Sequence, residues 1–154
     1  MLNRFRLSFG VTDSALAWIE SYLTGRSFRV LLGDQVSQEM NLLCGVPQGS
    51  VLGTLLFILY TADVARIADA HDVDQHAYAD DNEMYTQSTV DDISTMSDKL
   101  EHCVSDVDDW MTSNRFKLNP DKTEVVWFAT KRTLNKFSHP HITVKQTPVT
   151  ELRV

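Results

Sequence analysis

The sequence is short of cysteine, proline and glycine: its 154 residues hold two Cys, four Pro and six Gly. With no short spacing between them, Cys44 and Cys103 exclude a disulfide scaffold and a four-thiolate zinc site. Reduced thiols and an intracellular setting are the expectation. So little Gly and Pro also excludes a collagen-like or low-complexity chain. Long apolar runs are missing too: the longest, Val51 to Tyr60, is interrupted by Gly53 and Thr54. It falls short of the ~20 residues that cross a bilayer, so no membrane partner is expected. The first ten residues mix Arg4 and Arg6 with Phe and Leu but lack a continuous apolar segment and a small-residue cleavage site, which argues against secretion. What is present is 43% apolar residues in about one domain's length, enough for one sizeable core.

A formal net charge of -7 argues, as a single number, against a nucleic-acid binder. Its distribution argues otherwise. Residues 1–50 carry four charges of each sign, residues 51–114 fourteen acidic against two basic, and residues 115–154 eight basic against three acidic. An acidic middle can hold divalent cations and a basic C-terminal part can face phosphates.

Thr12, Asp13 and Ser14 offer N-caps to a helix whose Ala15, Trp18, Ile19 and Tyr22 share one face, with Gly25 as its stop. Residues 27–32 and 35–42 read as strands joined by the two-residue turn Gly33-Asp34. After the loop CGVPQG, Ser50 caps a helix over 51–66 that is apolar nearly all round and should be buried at its front end. Residues 76–86 suggest a hairpin with Asp81-Asn82 at its tip, since both residues tolerate turn conformations. Ile93, Met96, Leu100, Cys103, Val107 and Trp110 recur at three and four, the cleanest helix signal, over 91–113. Asp98, Glu101, Asp106, Asp108 and Asp109 read as its solvated face. Residues 124–129 read as a buried strand, and residues 142–144 and 149–154 as a last hairpin around 146–148. Trp18, Trp110 and Trp127 read as core. The simplest assembly is an α+β domain with helices on one face of an antiparallel sheet.

Adjacent aspartates on a hairpin bring two hard oxygen donors to one cation, and Mg²⁺ prefers a few carboxylates plus substrate phosphates. Asp80-Asp81 fits. Three segments in order, GVPQGSVLGTLLFILYTADV from Gly45, YADD from Tyr78 and LNPDKTEVVWF from Leu118, together resemble the palm of reverse transcriptases. They are most similar to the non-LTR (LINE-type) retrotransposon branch, whose signatures run GVPQGSVLGPLLF, F/YADD and LNxxKT. The segment Phe9 to Val30 resembles the link between that family's first catalytic motif and its Gln-Gly loop, so the likeness covers about residues 5 to 154.

The resemblance implies a palm-like antiparallel sheet with helices on one face, ferredoxin-like but incomplete. Residues 1–154 would be a partial reverse transcriptase domain. It implies that Asp80 and Asp81 are two of three carboxylates holding two Mg²⁺ or Mn²⁺ ions for nucleotidyl transfer. Tyr78 and the small Ala79 would lie beside the primer end. Gln48, Gly49 and Ser50 would line the site where template base and incoming nucleotide meet, and Lys122 would neutralise or protonate the leaving pyrophosphate. RNA template, DNA primer and dNTP are the implied partners, none of them required by a lone fragment, and nucleus or cytoplasm the implied location. Thr54 stands where most relatives have Pro. The first-motif Asp has no counterpart after Met1, and neither Asp13, at a helix cap, nor Asp63, at a helix's polar end, replaces it. Fingers, primer grip and thumb also lack counterparts, so the expectation is a fragment inactive by itself. Two other readings stand beside it: a decayed or domesticated palm fragment that binds a partner without chemistry, and an EF-hand-like calcium loop using Asp72, Asp74, His76, Asp80 and Glu83. His139-Pro140-His141 lacks nearby ligands and reads as a basic surface loop with Lys131, Arg132 and Lys136.

Overall fold

The computed structural model describes residues 1–46, 49–136, 142–144 and 147–153, the side chains of 151 and 153 excepted. Two compact units divide it, Met1–Tyr60 and Thr61–Val154. The first unit opens with α1 (Leu2–Phe9) and α2 (Asp13–Leu23), continues through β1 (Ser27–Phe28), β2 (Leu31–Leu32), β3 (Gln35–Val36) and β4 (Met40–Asn41), and enters α3 (Val51–Thr61). The second holds α4 (Asp63–Ala70), β5 (Asp74–Tyr78), β6 (Asp81–Tyr85), α5 (Ile93–Ser113), a single 3₁₀ turn at Pro120–Lys122, β7 (Glu124–Trp127), α6 (Lys131–Leu134), β8 (Thr143–Val144), β9 (Thr147–Pro148) and β10 (Thr150–Arg153). Helices and small sheets alternate, an α+β composition.

In the first unit the turn Gly33-Asp34 joins β2 to β3, with Gly33 at φ +58, a conformation that glycine adopts without a Cβ clash. Further out, β1 pairs with β4. Between the two ladders the Ser37 N–H donates to the Val30 carbonyl at 2.9 Å while the Val30 N–H donates to Ser37 Oγ at 2.9 Å, so a side chain replaces one ladder acceptor. Both strand pairs are exposed, Leu31 at 73% and Leu32 at 81%. Helix α2 buries no residue completely. Trp18, expected in the core, is 54% exposed and stacks on Tyr22, ring centroids 5.8 Å apart. The front of α3 is likewise open, with Val51 at 93% exposure; Gly53 and Leu56 are its buried positions.

The helix expected over 51–66 ends at Thr61, and α4 follows. Taken as one helical stretch, Val51–Ala70 reaches 20 residues with mean hydropathy 1.6, long and apolar enough to meet the spanning criterion that Val51–Tyr60 alone misses. Its second half carries Asp63, Arg66 and Asp69 and gives Ala68 to a buried cluster with Val73 and Cys103.

Helix α5 organises the second unit through two stripes. Cys103 and Leu100 pack on the Ala68–Val73 cluster with Met84. Leu100 and Val104 also pack on Ile142, Val144 and Val149. Of the residues expected on the solvated face, Asp98, Asp106 and Asp109 are exposed, but Glu101 is half-buried and Asp108 buried, in a row with Ser97 and the half-buried Val104 at spacings of four, three and four. Ser97 is 3% and Asp108 6% exposed. Glu101 there accepts the Thr143 N–H at 2.7 Å and the Thr143 hydroxyl at 3.0 Å. Replacing Glu101 with Ala should therefore free β8, lowering stability by about 1 kcal/mol. Faster hydrogen exchange at the Thr143 amide than in the rest of the unit is the measurement that checks it.

The expected single sheet is not what the described residues form. They build five two-stranded ladders. The β5–β6 hairpin stands by itself, and β7 pairs in parallel with β10 rather than antiparallel with the hairpin. A parallel partner needs a crossover, supplied here by the chain between Phe128 and Val149, which contains α6 and the β8–β9 hairpin. Because β7 alternates, only Trp127, at 8%, is buried, and Phe128 is 77% exposed. Trp110 is half-buried, stacked on Phe116 at 6.2 Å. The last hairpin joins β8 to β9, Thr143 opposite Pro148 and Val144 opposite Thr147, whereas residues 150–153, expected to be its second strand, pair with β7 instead; His139-Pro140-His141 lies outside the described residues.

Candidate functional site

Hairpin β5–β6 carries the adjacent carboxylates. Its ladder pairs Asp74 with Tyr85, Gln75 with Met84, His76 with Glu83, Ala77 with Asn82 and Tyr78 with Asp81. Strand alternation puts Gln75, Ala77, Asn82 and Met84 on one face and the remaining members of those pairs on the other. Met84 packs on the Ala68–Val73–Cys103 cluster, its Sδ 3.9 Å from Cys103 Sγ, so the first face is the inward one. The outward face presents Asp81, Glu83 and His76, with Tyr78 77% and Tyr85 56% exposed.

The tip is Ala79-Asp80, two residues before the expected Asp81-Asn82. Asn and Asp favour turns locally, but a tip at 81–82 would abandon the Gln75–Met84 pair that backs onto the core, and packing decides register. Ala79 accordingly sits at φ +54, a left-handed conformation that costs a residue with a Cβ about 1 kcal/mol. Asp80 is therefore in the turn and Asp81 opens β6, both exposed. A relay beneath steadies them: Gln75 Nε2 donates to Asn82 Oδ1 at 2.6 Å, and Asn82 Nδ2 reaches the Asp80 carbonyl at 3.4 Å. The relay was not read from the sequence, because nothing local marks Gln75 as facing Asn82.

Among the described residues no three His, Cys, Asp or Glu side chains converge as a metal site. The calcium-loop reading fails on the same ladder. Its first ligands lie at the Asp74 end and Asp80 at the other; four strand steps of about 3.4 Å separate Asp74 from Tyr78. Asp72 instead pairs with Lys99 at 2.6 Å, and the Lys99 hydrogen bond and charge hold its carboxyl below the usual carboxylate range. Asp63 lies 4.0 Å from Arg66 in α4, and Asp13 accepts the Thr12 hydroxyl at 2.8 Å.

Lys122 ends a 3₁₀ turn built by Asn119, whose Oδ1 accepts the Asp121 N–H at 3.1 Å and whose carbonyl accepts the Thr123 hydroxyl at 2.9 Å. Its ammonium is exposed, and no ion pair among the described residues joins it to Asp80 or Asp81. The loop residues belong to the other unit. Gln48 lies outside the described residues, Gly49 takes φ +77, and Ser50 Oγ accepts the Gly53 N–H at 3.0 Å, the N-cap that the sequence indicated.

Residues 3–150 match the family described as Reverse transcriptase (RNA-dependent DNA polymerase). Among curated proteins the chain is similar to the probable RNA-directed DNA polymerase from transposon X-element of Drosophila melanogaster, 30% identical over 140 residues, which are 85% of this chain and 14% of that protein. It is 32% identical over 127 residues to the probable RNA-directed DNA polymerase from transposon BS of the same fly, covering 79% of this chain and 14% of that protein. The RNA-directed DNA polymerase from mobile element jockey, also of that fly, is 28% identical over 118 residues, 73% of this chain and 13% of that protein. The chain thus spans about one seventh of the length of these relatives. No solved structure matches it significantly.

Proposed function

The chain belongs to the reverse transcriptase family, and on that premise we propose that it is the part of a non-LTR retrotransposon's RNA-directed DNA polymerase palm that presents the paired catalytic aspartates. The observation that carries this reading is Tyr78-Ala79-Asp80-Asp81 at the exposed end of a hairpin whose inner face is anchored on the core. In that position the carboxylates meet solvent and substrate while their backbone is held from beneath.

The donor set suits a hard divalent cation: two adjacent exposed carboxylates with room for water and phosphate oxygens. Asp80 and Asp81 would hold it, and when bound such ions activate a primer 3′-hydroxyl and stabilise a pyrophosphate leaving group. Tyr78, on the outward face with Asp81, offers an aromatic surface against which a terminal base or sugar can rest. Ala79 adds only a methyl group where the primer end approaches. Lys122 offers an exposed ammonium to a polyphosphate, and the family resemblance assigns Gln48, Gly49 and Ser50 to the templating position. RNA template, DNA primer and dNTP are the substrates of this reading. A palm remnant that binds without chemistry has no observation in its favour over this one.

Titration with Mn²⁺ tests the metal assignment. Two carboxylates make an incomplete site, so binding should be on the order of 1 mM or weaker. Paramagnetic broadening should centre on the Asp80 and Asp81 amides and vanish in Asp80→Ala. Tight Ca²⁺ binding lost in Asp72→Ala and Glu83→Ala would overturn the assignment.

A further inference from the structure

Two side chains that the palm reading leaves without a role meet the loop 45–50 at its two ends. Tyr22, on the last turns of α2, donates its hydroxyl to Ser50 Oγ at 2.7 Å. The same Oγ accepts the Gly53 N–H at 3.0 Å, so both lone pairs of this hydroxyl are engaged and its own proton remains a donor. Arg26, just beyond α2, donates from Nε to the Leu23 carbonyl at 3.1 Å and from Nη2 to the Gly45 carbonyl. We infer that Tyr22 and Arg26 are positioning residues that clamp this loop to the end of α2, Tyr22 through Ser50 and Arg26 through Gly45.

The loop needs such a device. Gly45 and Gly49 stand at φ +84 and +77, and glycine, lacking a Cβ, is not confined to these angles by its own side chain. Tyr22 and Arg26 are half-buried, and the Tyr22 ring lies nearly parallel to that of Trp18, 12° between planes, which aims its hydroxyl before any ligand arrives. The guanidinium uses two separate donors on two carbonyls, one on the helix and one on the loop, a bridge that a single ammonium does not reproduce. That the clamped loop reads a template rests on the function proposed above; the clamp itself does not.

Hydrogen exchange of the whole chain, with and without a primed RNA template carrying a photoreactive base at the templating position, tests both parts. In Tyr22→Phe, which keeps the ring and its stack, exchange of amides 45–53 should rise about tenfold while the unfolding midpoint hardly moves. Arg26→Gln should do the same from the Gly45 end, and Arg26→Lys should recover part of the protection. Crosslinks from the template to the loop should fall in Tyr22→Phe without loss of total bound RNA. Unchanged exchange at 45–53 in both Tyr22→Phe and Arg26→Gln overturns the clamp. Raised exchange in variants of a chain whose wild type never crosslinks through the loop upholds the clamp and overturns the templating role.

Discussion

In Mg²⁺ buffer the 154-residue chain should leave a primed RNA template unextended, whereas the same sequence within a polypeptide of its relatives' length should extend it. Two-metal phosphoryl transfer holds its ions about 3.5–4 Å apart, which takes carboxylates on both sides of the pair. On the assignment proposed above Asp80 and Asp81 supply one side, and the described residues bring no third His, Cys, Asp or Glu to them. In the longer polypeptide Asp80→Ala should cut extension on the order of a thousandfold, roughly 4 kcal/mol of transition-state stabilisation. The readout is labelled primer resolved by length. Extension by the short chain, abolished by Asp80→Ala, would show that another of its residues completes the site.

The two thiols should differ almost as widely. Cys44 is exposed, while Cys103 is fully enclosed with Ala68, Val73, Met84 and Leu100. A reagent reaches Cys103 only when the second unit opens, and an opening cost of about 5 kcal/mol slows labelling several thousandfold relative to Cys44. Mass spectrometry of timed alkylation checks this. Burial, reinforced by the Asp106 charge and opposed by that of Lys99, pushes the Cys103 thiol above its ordinary value. The stabilisation is complete below the unfolded pKa of about 8.5 and is lost as pH rises through the folded value. Alkaline titration should therefore lower the unit's denaturant midpoint more in the wild type than in Cys103→Ala. Similar labelling rates for both thiols would mean that α5 does not close over the cluster.

Signals that depend on local chemistry were legible in the sequence. Ser50 caps α3, Gly33-Asp34 makes the turn, and the three-four spacing placed α5 within two residues of its start. Tertiary choices were not. Glu101 and Asp108 look like a wet face until Glu101 meets Thr143 of β8 and Asp108 is buried, and polar residues give no hydropathic sign of such burial. The hairpin tip moved because Met84 had to reach Cys103. The pairing of β7 with β10 joins residues 26 positions apart, such as Glu124 and Thr150, and no pattern within either strand selects its partner. At the candidate site the motifs placed Asp80 and Asp81 on one hairpin end, while Tyr22 and Arg26 remained invisible because their role is defined by distant backbone they touch.

A hairpin whose two outer edges meet no further strand among the described residues is an open template for strand addition from another molecule. In this ribbon the guard is electrostatic: Asp74, Asp80, Asp81 and Glu83 give one small sheet a dense negative charge, and two copies approaching edge to edge repel. Solubility and metal affinity then draw on the same side chains. On the metal assignment proposed above, each cation that neutralises the tip also weakens the barrier to self-association, and colloidal stability should fall as divalent concentration rises.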